Sequence, residues 1–139
     1  GSIHDVWFDS NNWHRQQIDA ATGGPPAVGD LFVSVYDDQQ HFTYRDFNGT
    51  VQDAWRDANG WHLRQINHTD DTGATAPAAG GLFVATHNNE HHFTYLDAHG
   101  SIHDVWFDSN NWHRQQINAG AGVTVSGGYP ATGGPPAAR

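Results

Sequence analysis

Between residues 31 and 66 the hydrophobic and polar positions change rhythm every five or six residues. Leu31 to Tyr36 is an apolar run, Asp37 to Gln40 is polar, and His41 to Asp46 alternates. Asn48-Gly49 is a hairpin signal, Val51 to Asp57 alternates again, Ala58-Asn59-Gly60 is a turn, and Trp61 to Ile66 closes the unit. The pattern predicts four short antiparallel strands, here called A to D. Period two on strand C puts Val51, Asp53, Trp55 and Asp57 on one face and Gln52, Ala54 and Arg56 on the other.

The unit recurs. Sliding the chain by 51 positions lays residues 31–66 on residues 82–117 without a gap, and 17 of the 36 positions are identical. Residues 1–18 repeat residues 100–117 without a change, and correspond to strands C and D alone. The expected organisation is therefore a half unit at 1–18, whole units at 31–66 and 82–117, and a connector-like tail at 119–139. That tail ends in ATGGPPA (131–137), which matches residues 21–27. Its Val123-Thr-Val could add an outer strand or remain mobile. Segments such as PPAVGD and GATAPAAGG are Pro-, Gly- and Ala-rich connectors between units.

A period of about 50 residues with four strands per repeat belongs to propellers and related arrays. The expected fold class is all-β, with β-propeller blades of four antiparallel strands. Two blades cannot close a ring, since propellers use roughly four to eight. The expectation is a homo-oligomer whose ring is completed by self-association. Residues 1–18 would then be paired, displaced or exchanged with a neighbour's identical segment. An exact copy of eighteen residues implies recent duplication or deliberate construction.

Composition narrows the partners. With 16 Gly, 11 His and 6 Trp, the chain suits short strands and tight turns, and helix is expected to be scarce. Six Lys and Arg against 15 Asp and Glu give a formal charge of −9, which argues against nucleic acid and anionic membranes. No apolar run approaches the roughly 20 residues of a membrane span, and no signal peptide is visible, so the chain is expected to be soluble with its localisation open. The absence of Cys removes disulfides, thiolate nucleophiles and Cys-ligated metals.

What the repeats carry is sugar-binding chemistry. A pyranose has an apolar C–H face that lies on an aromatic ring, and its hydroxyls need carboxylates, amides or guanidinium groups. Asp53, Trp55, Asp57, Trp61, His62, Arg64 and Gln65 are close together in one unit. Asp104, Trp106, Asp108, Trp112, His113, Arg114 and Gln115 are close together in the next. Repetition would make an assembly multivalent. The W-x-D ending of strand C and the Asn/Gly-Trp opening of strand D resemble the blades of the Aleuria-type and Ralstonia-type fucose-binding propeller lectins. HFTY-RD-x-x-G-x-x-x-D-x-W is similar to blades of the Photorhabdus-type propeller lectins. The resemblance spans residues 1–118 and implies a sugar site between adjacent blades. It places the stacking Trp at Trp61, Trp112 and Trp13, and the acidic partner at Asp53, Asp104 and Asp5. The family's Arg position is filled by Phe42 and Phe93, so a sugar is implied but not fucose in particular. Arg64 and Arg114 are the candidate guanidinium partners.

Structural roles compete with these. Trp55, Trp106 and Trp7 read as core between blades, and the three Asp residues either meet sugar hydroxyls or accept hydrogen bonds from neighbouring strands. Glu90-His91-His92 is not expected to hold a metal, because adjacent strand residues point to opposite faces. No nucleophile elbow or asymmetric carboxylate pair suggests an enzyme. No cofactor is expected. Asn48-Gly-Thr and Asn67-His-Thr match the N-glycosylation sequon. Two functions stand: a carbohydrate-binding lectin, or a duplicated or engineered scaffold whose role is self-assembly.

Overall fold

The computed structural model describes residues 1–67 and 76–120, in which three antiparallel sheets follow one another in chain order. The first pairs β1 (His4–Phe8) with β2 (Trp13–Gln17). The second is a four-stranded meander of β3 (Ala27–Tyr36), β4 (Gln39–Asp46), β5 (Val51–Asp57) and β6 (Gly60–Gln65). The third repeats that order with β7 (Gly80–His87), β8 (Glu90–Leu96), β9 (Ile102–Phe107) and β10 (Trp112–Gln116). Among the described residues helix is confined to one short turn after each of two final strands, α1 (Ile18–Thr22) and α2 (Ile117–Gly120). Most of the connector-like tail, from residue 121 on, lies outside the described residues.

The four-strand units and the two-strand half unit follow the sequence pattern, with shifted edges. β3 starts at Ala27, its register slipping between Ala27 and Leu31. The polar stretch 37–40 is not all turn. Asp37 and Asp38 alone make it, both at positive φ, and Gln39 already pairs with Tyr36. Asn88 and Asn89 do the same in the third sheet. Asp and Asn tolerate the left-handed region, and two successive residues there match the twist of the flanking strands.

Aspartates also fasten the other turns. Asp46 accepts from the backbone N–H groups of Asn48 and Thr50, and Asp97 accepts from His99 and Ser101. Each sheet then closes end to end. The second residue after the last strand accepts from the N–H at the head of the C strand: Asp19 from Ile3 at 2.9 Å, Asn67 from Val51 at 2.8 Å and Asn118 from Ile102 at 3.3 Å. Asn67 is fully buried and also donates to the carbonyl of Gly49, so its side-chain amide is enclosed in the fold.

The sheets stack face to face through two equivalent cores. Between the second and third sheets, Val51 and Ile66 from one side meet Leu82, Phe93, Tyr95 and Val105 from the other. Between the first and second, Ile3 and Ile18 meet Phe42, Tyr44 and Ala54. These are the same positions moved by one repeat, so one packing operation is used twice. It breaks where the first sheet lacks two strands: Leu82 is 1% exposed, while its counterpart Leu31 is 45% exposed.

Leu82→Ala should therefore cost about 2–5 kcal/mol, and Leu31→Ala less than about 1 kcal/mol, as measured by urea unfolding of the two variants. Equal losses would mean that Leu31 is covered as Leu82 is.

Candidate functional site

The cleft between the second and third sheets has a volume of about 180 Å³. Period two determines what faces it. From the second sheet come His41 on β4, Asp53 and Trp55 on β5, and Arg64 on β6, which are cross-strand neighbours by register. From the third come His91, Phe93, Phe107 and Trp112, again on one face. The Arg64 guanidinium carbon lies 5.3 Å from the centre of the Trp112 ring, within cation–π range.

Asp53 is buried and works inside its own sheet. One oxygen accepts from Thr43 Oγ1 at 2.7 Å and the other lies 2.7 Å from His41 Nδ1. A carboxylate on Nδ1 favours the tautomer that carries the proton there, leaving Nε2 as an acceptor. His41 Nε2 is buried and has no hydrogen-bond partner among the described residues. His91 meets it edge-on, with ring centres 4.7 Å apart, stacks on Tyr36 and hydrogen-bonds Ser34 Oγ at 3.0 Å. Burial pushes the His91 pKa down to about 4, so the ring is neutral at physiological pH.

The remaining sequence candidates are distributed by the stacking. Trp61 packs on Phe42 at the preceding interface, facing the half unit. Trp13 is 72% exposed, and among the described residues its one ring neighbour is Phe8. Asp104 repeats the Asp53 arrangement with His92 Nδ1 at 2.8 Å and Thr94 at 3.1 Å, but on the far side of the third sheet. Asp5 lies on the corresponding face of the half unit, which has no B strand to supply the His and Thr. Arg114 borders a second cavity of about 210 Å³ with Tyr95, His103 and Asp104. Asp53, Arg64 and Trp112 are thus the three candidates brought together. His41 and His91 were missed by sequence reasoning. The first recurs as the leading residue of HFTY in both units, which was the available signal; the second replaces Gln40 of the other repeat and gave none.

His91 and His92 point to opposite faces, as adjacent strand residues must. Ligand atoms of His41, Asp53 and His91 lie within 4.8 Å of one another, close enough to meet one transition-metal ion. Asp53 and His41 Nδ1 are already committed to each other, however. The same His–Asp–Thr bracing recurs at His92, Asp104 and Thr94, where Glu90 takes Nε2 at 2.7 Å. The arrangement is cross-strand bracing that leaves one ring nitrogen facing the cleft. In His92, burial works against the charged ring, but the bonds to Asp104 and Glu90 prevail and raise its pKa.

No protein-family model matches the chain, and no curated protein matches it either.

A histidine held neutral in the fold binds its proton more weakly than in the unfolded chain, so stability falls as pH drops from about 6.5 towards about 4. His91→Gln should remove that slope, on the order of 3 kcal/mol across the window. Urea unfolding at pH 7 and pH 4.5 reads it: an unchanged pH dependence in the variant would show that His91 is not the source.

Proposed function

We propose that this chain is a fragment of a β-propeller lectin and that it binds a sugar between consecutive sheets. One observation carries the reading. An acidic residue and a guanidinium from one sheet, Asp53 and Arg64, converge on an aromatic wall that the next sheet supplies through Trp112. These are the groups a pyranose needs: a flat apolar surface for its C–H face and charge-assisted partners for its hydroxyls. At about 180 Å³ the cleft suits a single terminal sugar ring rather than a longer glycan, since drug-sized ligand pockets start near ~300 Å³. Asp53 contributes indirectly, by orienting His41 so that its free Nε2 accepts from a hydroxyl. The formal charge of −9 disfavours sulfated or otherwise anionic glycans.

A second reading, a scaffold whose role is self-assembly, has its own support in the unchanged copy of residues 1–18 and in the exposed apolar side chains of the half unit, Val6, Phe8 and Trp13, and of β3, Leu31, Val33 and Val35. The two are compatible, because a ring multiplies weak sites.

A glycan array probed with the protein tests the lectin reading. Binding to a neutral monosaccharide-terminated glycan should be lost in Trp112→Ala and Arg64→Ala and kept in Trp13→Ala. A folded wild-type protein that binds nothing on the array would overturn it.

A further inference from the structure

The two complete sheets brace a carboxylate in the same way and differ in what is left over. In the third sheet His92 Nδ1 meets Asp104 and its Nε2 meets Glu90 at 2.7 Å, so both ring nitrogens are used. The second sheet has Gln39 at the place of Glu90. There His41 Nδ1 meets Asp53 at 2.7 Å, and Nε2 has no hydrogen-bond partner among the described residues, although His41 is only 6% exposed. Bracing accounts for Asp53 and for one side of the His41 ring. It does not account for an enclosed acceptor nitrogen that no donor reaches, which costs stability unless a ligand meets it.

His91 stands opposite that ring. It takes the place of Gln40 of the other repeat, is 3% exposed, and lies edge-on to His41 with ring centres 4.7 Å apart. One ligand atom from each of His41, Asp53 and His91 falls within a span of 4.8 Å. Each imidazole is also held through one of its nitrogens: His41 Nδ1 by Asp53, and His91 Nε2 by Ser34 Oγ at 3.0 Å. In the tautomers that donate those bonds, the opposite nitrogen of each ring carries the lone pair. A carboxylate or hydroxyl on the far nitrogen is how a metal-ligating histidine is oriented and made more basic. Burial keeps His91 neutral, as a ligand must be. The charged residues that line the cleft are Asp37, Asp53 and Arg64, a balance that favours a cation.

We propose that His41 and His91 bind a divalent transition-metal ion of the zinc kind in the cleft between the second and third sheets, with Asp53 as the positioning residue behind His41. Water completes the coordination, for which a cleft of about 180 Å³ has room. Two imidazole ligands select zinc, copper or nickel over magnesium or calcium. Among the described residues the arrangement occurs once, because Glu90 already takes the equivalent nitrogen of His92 and the half unit has no B strand. The inference does not rest on the lectin reading. A bound ion takes the nitrogen that otherwise accepts from a sugar hydroxyl, so the two ligands compete for His41.

Zinc chloride titrated calorimetrically into the full-length protein, in a non-chelating buffer without sugar, should show one saturable site per chain. His91→Gln installs the residue that the other repeat carries at this position and should weaken zinc about a hundredfold. Asp53→Asn should weaken it at least about tenfold in protein that circular dichroism shows to be folded. The exposed pairs His14–Asp9 and His113–Asp108 are the competing explanation for zinc uptake. His14→Gln with His113→Gln should therefore leave the site unchanged. Zinc should raise the urea midpoint of wild type and of that double variant, and not that of His91→Gln. The proposal is overturned if folded wild type takes up no zinc. It is equally overturned if His91→Gln binds zinc as tightly as wild type, which assigns the ion to the exposed pairs. With no sugar in the titration, either result leaves the lectin reading untouched.

Discussion

Each four-stranded sheet carries apolar side chains on both faces, and that single constraint shapes the rest. One face presents Phe and Tyr from the B strand with Val or Ala from the C strand. The other presents an isoleucine or valine at each end of the C–D hairpin. Neither face is tolerable in water alone, so a sheet needs a neighbour on each side, and the burial of apolar area supplies the drive. Stacking in sequence order solves the problem between consecutive sheets of the chain.

The polar groups are arranged around that requirement. Between two apolar layers, an unpaired carboxylate would be costly, and Asp53 and Asp104 are each satisfied within their own sheet by a histidine and a threonine across the strands. The second sheet therefore meets the third with Asp53 already hydrogen-bonded, and it turns His41 Nε2 and Arg64 toward the cleft. In this way a packing solution also furnishes a cleft with an acceptor, a cation and an aromatic wall.

Much of the fold was legible because its determinants are local. Alternation, the Asn48-Gly49 turn and the repeat at 51 residues fixed strands, order and half unit without any tertiary information. The start of β3 at Ala27 was not legible, because a connector rich in Gly and Pro gives no strand signal and pairing with Asp46 overrides it. Nor was the division of labour among the tryptophans. Trp13, Trp61 and Trp112 occupy one repeat position, yet what each touches depends on which sheet lies opposite, a fact no single repeat contains. Asp53 was marked for the right region and the less direct role: its partners are two residues on the neighbouring strand, ten and twelve positions back in the chain.

The verbatim segments 1–18 and 100–117 also make the protein its own reference state. Trp13 and Trp112 share every neighbour in sequence over those stretches, and differ in exposure because of what is stacked beside them. Any difference between the two in chemical shift, amide exchange or fluorescence quenching is thus free of local sequence effects. It measures in one molecule what being enclosed by an adjoining layer does to an otherwise identical strand.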